Sequence, residues 1–242
     1  GPTDGMARLV SPEVSKELKQ PIVVENVGGA GGQIGAAKAS NAKPDGYTFL
    51  VGHFGYMAAA PSLYKTMKYD PIKDFDAVFR FPDTPLVLLV GAGSKYKMVD
   101  EMIAFAKANP GKINFGNAGV GSSSHLVAEL FAAKAKIKIM QISYKGAGPA
   151  LNDVMGGQVD AMFDQTNTAL PQTKGDKIRA LVLTASRTMP QFPNVPTISR
   201  TMPGLEASTW YGIYAPKGTP RAMIDTTYKA YQKVMQNKAF TE

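Results

Sequence analysis

The segment INFGNAGVGSSSHLVAELFAAKAKIKIMQIS, residues 113–143, reads as a strand, a turn, a helix and a second strand. Ile113-Phe115, with Asn114 between two apolar residues, reads as a short strand. In Gly119-Val120-Gly121-Ser122-Ser123-Ser124-His125 the glycines supply turn geometry and the serines suit a helix start. Leu126-Ala135 then carries a helical pattern, and Ile139-Ser143 is apolar and strand-like again. Working outward, further strands are expected at Pro21-Val24, Tyr47-Val51, Leu86-Val90, Val159-Phe163, Ala180-Thr184 and Tyr211-Ala215. Helical patterns lie between them at Glu13-Leu18, Ala36-Ala42, Val99-Ala108 and Ala150-Met155. Alternation of this kind predicts an α/β fold, with a mixed, mostly parallel sheet covered by helices. The helix from Val99 shows the local logic. Asp100 and Glu101 favour its positive end, Met102, Phe105 and Ala106 form the apolar stripe, and Asn109-Pro110-Gly111 stops it.

Proline and glycine cluster at residues 82–85, 190–203 and 216–220. Strand-like segments at 86–90 and 209–215 lie beside these clusters and read as two crossings between lobes. Lobe one is then discontinuous, 1–88 plus 212–242, and lobe two is 89–211.

Composition narrows the function classes. The chain has 242 residues, a formal charge of +8 and no cysteine. Disulfides, thiolate metal sites and cysteine catalysis are therefore excluded. No apolar run approaches the ~18 residues of a membrane helix. The positive balance suits anionic partners, but it is diffuse. The densest stretch, Lys134 to Lys138, reads as a solvated helix end leading into a strand. There is no basic stripe interleaved with aromatics and no nucleic-acid-binding signature, so no nucleic-acid partner is expected.

The informative chemistry lies in turns placed just before helices: Gly28-Gly32, Gly119-His125 and Tyr144-Gly148, with Thr3-Asp4 ahead of a helix near Ser11. Helix starts carry unpaired N–H groups and partial positive charge, and they receive anions. In open α/β sheets ligands gather at the carboxyl ends of strands. One such turn is simply a turn; their recurrence describes a carboxylate cage. Rival chemistries lack their spacing. There is no phosphate-binding G-x-x-x-x-G-K-[ST], and position 34, where a dinucleotide fingerprint needs glycine, is Ile34. His53, His125 and Asp164 match no metal motif, and Ser124-His125 with Asp164 lacks the G-x-S-x-G elbow of a hydrolase. No catalytic residue, metal or cofactor is expected.

Several segments together resemble one family. They are Pro21-Asn26, Gly28-x-x-Gly31-Gly32-x-Ile34-Gly35, Pro44-Asp45-Gly46-Tyr47-Thr48, Tyr69-Asp70-Pro71-x-Lys73-Asp74-Phe75, Asn114 to His125, Tyr144-Lys145-Gly146, Asp153 to Asp160, Pro193-x-Val195-Pro196-Thr197 and Ala215 to Pro220. In order, and over nearly the whole chain, they resemble the tripartite tricarboxylate transporter receptors, the Bug-type solute-binding proteins. The resemblance implies a two-lobe periplasmic binding protein (type II, Venus flytrap). It implies a monomeric receptor in the periplasm that hands a small carboxylate ligand to membrane transporter subunits. The gripping residues it implies are Thr3, Asp4, Gly28, Ala30, Gly31, His53, Phe54, Tyr56, Ser122, Ser123, Ser124, His125, Lys145 and Asp164.

Two departures stand out. The chain starts inside a loop that relatives precede with a strand, so lobe one is expected to lack its first strand. Tyr56 and Met57 replace smaller or polar residues, which leads to an expected apolar or aromatic body on a ligand with one or two carboxylates, so that an aromatic carboxylate and a di- or tricarboxylate both stay open. The expected mechanism is closure on the ligand, with Asp4 ordering a water or the loop and Asp164 accepting a hydrogen bond. The alternative is an enzyme acting on a small carboxylate on the same scaffold, since such folds host both.

Overall fold

The computed structural model describes residues 1–237. Its strands are β1 (Leu50–His53), β2 (Phe75–Arg80), β3 (Thr84–Gly91), β4 (Asn114–Asn117), β5 (Met140–Ser143), β6 (Ala161–Gln165), β7 (Ile178–Leu183), β8 (Ser208–Thr209) and β9 (Tyr211–Pro216). Its helices are α1 (Pro2–Leu18), α2 (Gln33–Ser40), α3 (Ala60–Leu63), α4 (Val99–Ala108), α5 (Ser123–Ala135), α6 (Ala147–Met155), α7 (Thr166–Lys174) and α8 (Arg221–Gln236). Among the described residues no helix is long and apolar enough to cross a membrane. The described residues divide into two compact units, one of residue 1 with 83–209 and one of 2–82 with those from 210 onward.

The central unit is organised by β3. Leu86, Val87, Leu88, Leu89 and Val90 have no exposed surface at all. Successive strand side chains point to opposite faces, so a strand buried on both faces reads as an unbroken apolar run. Leu86, Leu88 and Val90 join Met102 of α4 and Phe131 of α5 in one core. Val87 and Leu89 join Ala150 and Val154 of α6 and Ala169 of α7 in another. The result is three layers, a sheet with helices on each face. The strand order is β5-β4-β6-β3-β7, with β8 set against the start of β3. β4 is parallel to β5 and β6, while β3 is antiparallel to β6 and β7.

The other unit carries a sheet in the order β1-β9-β2, with both pairs antiparallel. One face packs on α1 and α8 through Val10, Val14, Ile224, Tyr231 and Val234. In α8 the buried positions Ile224, Thr227, Ala230, Tyr231 and Val234 keep helical spacing. Tyr231 stacks on Phe79 with ring centroids 5.7 Å apart. Ala36, Tyr56, Met57, Tyr69 and Phe75 form a second cluster in this unit.

The structure corrects several expectations. Among the described strands only β4 pairs in parallel, with β5 and β6, and a single parallel bridge joins Leu183 to Thr197; β9, far along the chain, lies antiparallel between β1 and β2. Residues 21–24 form no strand, because no ladder partner lies beside them among the described residues; Ile22 N–H instead donates to Ser15 Oγ at 3.1 Å, and Val23 is 88% exposed. The expected strand at 47–51 begins later, at Leu50, where pairing with Tyr214 starts. Thr3 and Asp4 lie within the first turn of α1 rather than ahead of a helix near Ser11. The unit boundaries fall at 82/83 and 209/210 rather than 88/89 and 211/212, because all of β3 is tied to β6, β7 and β8. β2 went unread, since Asp76 and Arg80 break its apolar pattern.

Phe115, Phe131 and Phe163 meet with centroids 5.5 to 6.1 Å apart, and none is exposed. Emptying the middle of this triad by Phe131→Ala is expected to cost about 3–5 kcal/mol, with a smaller loss for Phe131→Leu, in urea denaturation of the whole chain.

Candidate functional site

In the central unit the expected residues gather at the carboxyl end of β4. Asn117 closes the strand and its Oδ1 accepts the Gly119 N–H at 2.9 Å, which turns the chain sharply. Its amide donates to Gln141 Oε1 at 2.8 Å. Ser122 caps α5, its Oγ accepting the His125 N–H at 3.3 Å. Ser124 Oγ accepts the Ala118 N–H at 3.0 Å and lies 3.0 Å from Ser122 Oγ. Ser123 Oγ donates to Thr209 Oγ1 at 2.9 Å. The three hydroxyls are buried and shape the turn. The N–H groups of Ser123 and Ser124, the first two of the helix, have no acceptor among the described residues. A 13-residue helix thus aims unpaired donors and its positive end at one point. His125 turns Nδ1 towards the Gly121 N–H, at 3.5 Å.

Asp164 is the penultimate residue of β6, beside β3 and opposite Val87, and is 1% exposed. Its Oδ2 accepts Thr168 Oγ1–H at 2.6 Å, while its Oδ1 is buried without a partner among the described residues. Burial against apolar neighbours pushes its carboxyl up from the usual 3.8 to about 6; the bonds from Thr168 and the Gln165 N–H oppose this and lose. Lys145 is exposed in the turn before α6, and no bond joins it to the serine turn.

In the other unit the structure brings together the glycine turn, His53 and Tyr56. Gly29, Ala30, Gly31 and Gly32 all have positive φ, from 47° at Ala30 to 118° at Gly29, so the turn is left-handed throughout. Gly32 leads into α2, and a Cβ there would stand 2.4 Å from Cδ1 of Tyr56. Position 32 therefore has to be glycine on two counts. Tyr56 sits in a single π turn, Gly55–Ala59, and its hydroxyl donates to the Val51 C=O. The ring of His53 meets that of Tyr56 edge-on at 4.2 Å, and its Nδ1 accepts the Gly55 N–H at 2.9 Å. Desolvation holds this imidazole down to about 4, so it is neutral at pH 7 with its proton on Nε2. Phe54 is half-buried, its N–H donating to the Trp210 C=O. Tyr56 and Met57 are interior residues. Asp4 accepts Asn26 Nδ2–H and Arg8 Nε–H, each at 2.7 Å, and the Asn26 bond above all holds its carboxyl below the usual range. It fastens α1 to the segment ahead of the glycine turn. Gly28 and Ala30 are exposed, and Thr3 is half-buried in α1.

The turn-shaping partners Asn117, Thr168 and Thr209 were not anticipated. Asn117, two residues before a glycine, and Thr168, one helical turn after Asp164, carried a readable signal; Thr209, distant in sequence, did not. Among the described residues no three candidate metal ligands lie together. Ser124, His125 and Asp164 form no relay, since each side chain is bonded elsewhere.

The sequence profile described as tripartite tricarboxylate transporter family receptor matches residues 6–242. Among solved structures, the chain is similar to MatC of Rhodopseudomonas palustris with bound malate (35% identity, TM-score 0.93, 99% of this chain and 82% of that one). It is similar to the periplasmic binding protein BugD (36%, TM-score 0.94, 100% and 81%). A further R. palustris protein, solved with adipate, aligns at 32% identity and TM-score 0.91 over 94% of this chain and 76% of the other.

Asp164 generates a pH prediction. Its raised pKa means the folded chain keeps a proton that the unfolded chain has released. The stability this contributes is full below pH 3.8 and is lost as pH rises through about 6. Urea midpoints measured from pH 4 to 7 should therefore lose this component, and Asp164→Asn should flatten the profile; an unchanged profile in the variant would remove Asp164 as its source.

Proposed function

We propose that this chain, which belongs to the tripartite tricarboxylate transporter receptor family, captures a small aliphatic dicarboxylate in the periplasm and passes it unchanged to membrane transporter subunits. The observation that carries the reading is the start of α5, where the Ser123 and Ser124 N–H groups are left unpaired in a buried, hydroxyl-lined turn. Such a turn receives a carboxylate oxygen without a full counter-charge. The donors are neutral, so release is not opposed by a buried ion pair. The left-handed Gly29–Gly32 turn leading into α2 is the corresponding feature of the other unit. Malate and adipate, held by two of the similar structures, each carry two carboxylates on an aliphatic body. The placement of Tyr56 and Met57 favours an aliphatic over an aromatic ligand, because both are spent on the interior of their own unit.

Binding without catalysis is supported by the bonding of the ionisable groups. Asp164 is engaged by Thr168, and His125 faces a backbone N–H, so among the described residues these two side chains are not bonded to each other as acid and base. The periplasmic reading is supported by BugD and by a chain with no thiol to oxidise.

Malate or adipate at 100 times its dissociation constant should stabilise the folded chain by ~2.7 kcal/mol, seen as a rise in melting temperature. Val120, half-exposed in the turn before α5, offers a local control. Val120→Asp sets a carboxylate at the proposed docking point and should weaken malate about tenfold, whereas Val120→Asn should not. No shift with either dicarboxylate on folded protein, or equal malate affinity in both variants, overturns the reading.

A further inference from the structure

The lysine run Lys134 to Lys138 takes no part in the carboxylate site. It leads from the end of α5 into β5, which closes the strand order of the central sheet. Exposure alternates along this stretch: Lys134, Lys136, Lys138, Met140 and Ile142 face solvent, while Ala135 and Ile137 are buried. Met140 and Ile142 remain 52% and 36% exposed, unusual for apolar side chains on neighbouring same-face positions. None of the three lysines is in an ion pair among the described residues.

The backbone of β5 is open on its outer side. Met140 N–H donates to the Ile113 C=O and Tyr144 N–H to the Asn117 C=O, within a parallel pairing to β4. Even-numbered residues thus spend their peptide groups on β4, and Gln141 and Ser143 turn theirs outward, with no partner among the described residues. An open strand edge is a template for one more strand. A second copy of this chain is a poor occupant. Exposed Lys138 stands before the edge and exposed Lys145 after it, so self-pairing in either direction sets like charges together. A lipid surface could take Met140 and Ile142 but offers no ladder to the outward N–H groups.

We infer that the β5 edge receives an extended acidic segment of a protein partner, added as a further strand beside Met140–Ser143, with its acidic side chains on the lysine row. The test uses the whole chain and a fluorescein-labelled peptide of alternating glutamate and valine, followed by anisotropy. Saturable binding that weakens with salt is expected. Ser143→Pro removes an outward donor and spares the Tyr144–Asn117 bond, so it should weaken the peptide at least about tenfold. The exposed triple variant K134E/K136E/K138E should do the same. Should Ser143→Pro melt early, the triple variant decides alone. Unchanged peptide affinity in the folded variants, or no binding by the parent chain, overturns the proposal. So does co-sedimentation with phosphatidylglycerol vesicles without peptide binding, which assigns the edge to lipid. Self-association that Ser143→Pro abolishes overturns it in favour of a second copy.

Discussion

Everything in the central unit depends on one strand being dry on both sides. β3 has five successive residues with no solvent contact, shared alternately between two helical layers. A strand in that position fixes register strongly, because a slip by one residue would exchange the two cores. It also sets the dielectric of its neighbours. Asp164 is displaced from ordinary carboxylate behaviour chiefly because it stands next to this strand, not because of any charged partner. Packing and electrostatics here are one fact seen from two sides.

The same constraint explains what could be read from the sequence. β3, β6, β7 and β9 were legible as apolar runs, since strands buried in layered α/β units need no alternation, whereas β4 and β5 were read from short strand-like segments beside a turn and a helix. Segment 21–24 has the same composition and is no strand, because strand identity belongs to the ladder and not to the run. Asp76 and Arg80 hid β2, whose outer positions are solvent-facing and free to be polar. Thr3 and Asp4 were placed ahead of a helix that in fact includes them, since Pro2 at a helix start is as favourable as a turn.

Among the candidate residues, the serine turn was legible because capping and glycine geometry leave a local signature. The inward placement of Tyr56 and Met57 was not, because a π turn shifts side chains by one position and no composition rule marks it. Asp164 was named from resemblance; its orphan oxygen and its Thr168 clamp are properties of the folded chain alone. The serine turn, with neutral donors only, contrasts with Asp4, whose charge is already satisfied by Asn26 and Arg8 and serves to hold a segment in place.

The contact between Gly32 and the ring of Tyr56 has a consequence for descent. Two positions 24 residues apart in the chain occupy a single volume, so neither drifts alone. A lineage that places any side chain at 32 must both have shrunk the residue at 56 and have bent the backbone out of its positive φ, and one that keeps the tyrosine inherits the glycine with it. The tyrosine at 56 is thus also a ratchet, since it closes off the mutational routes by which the glycine turn could change.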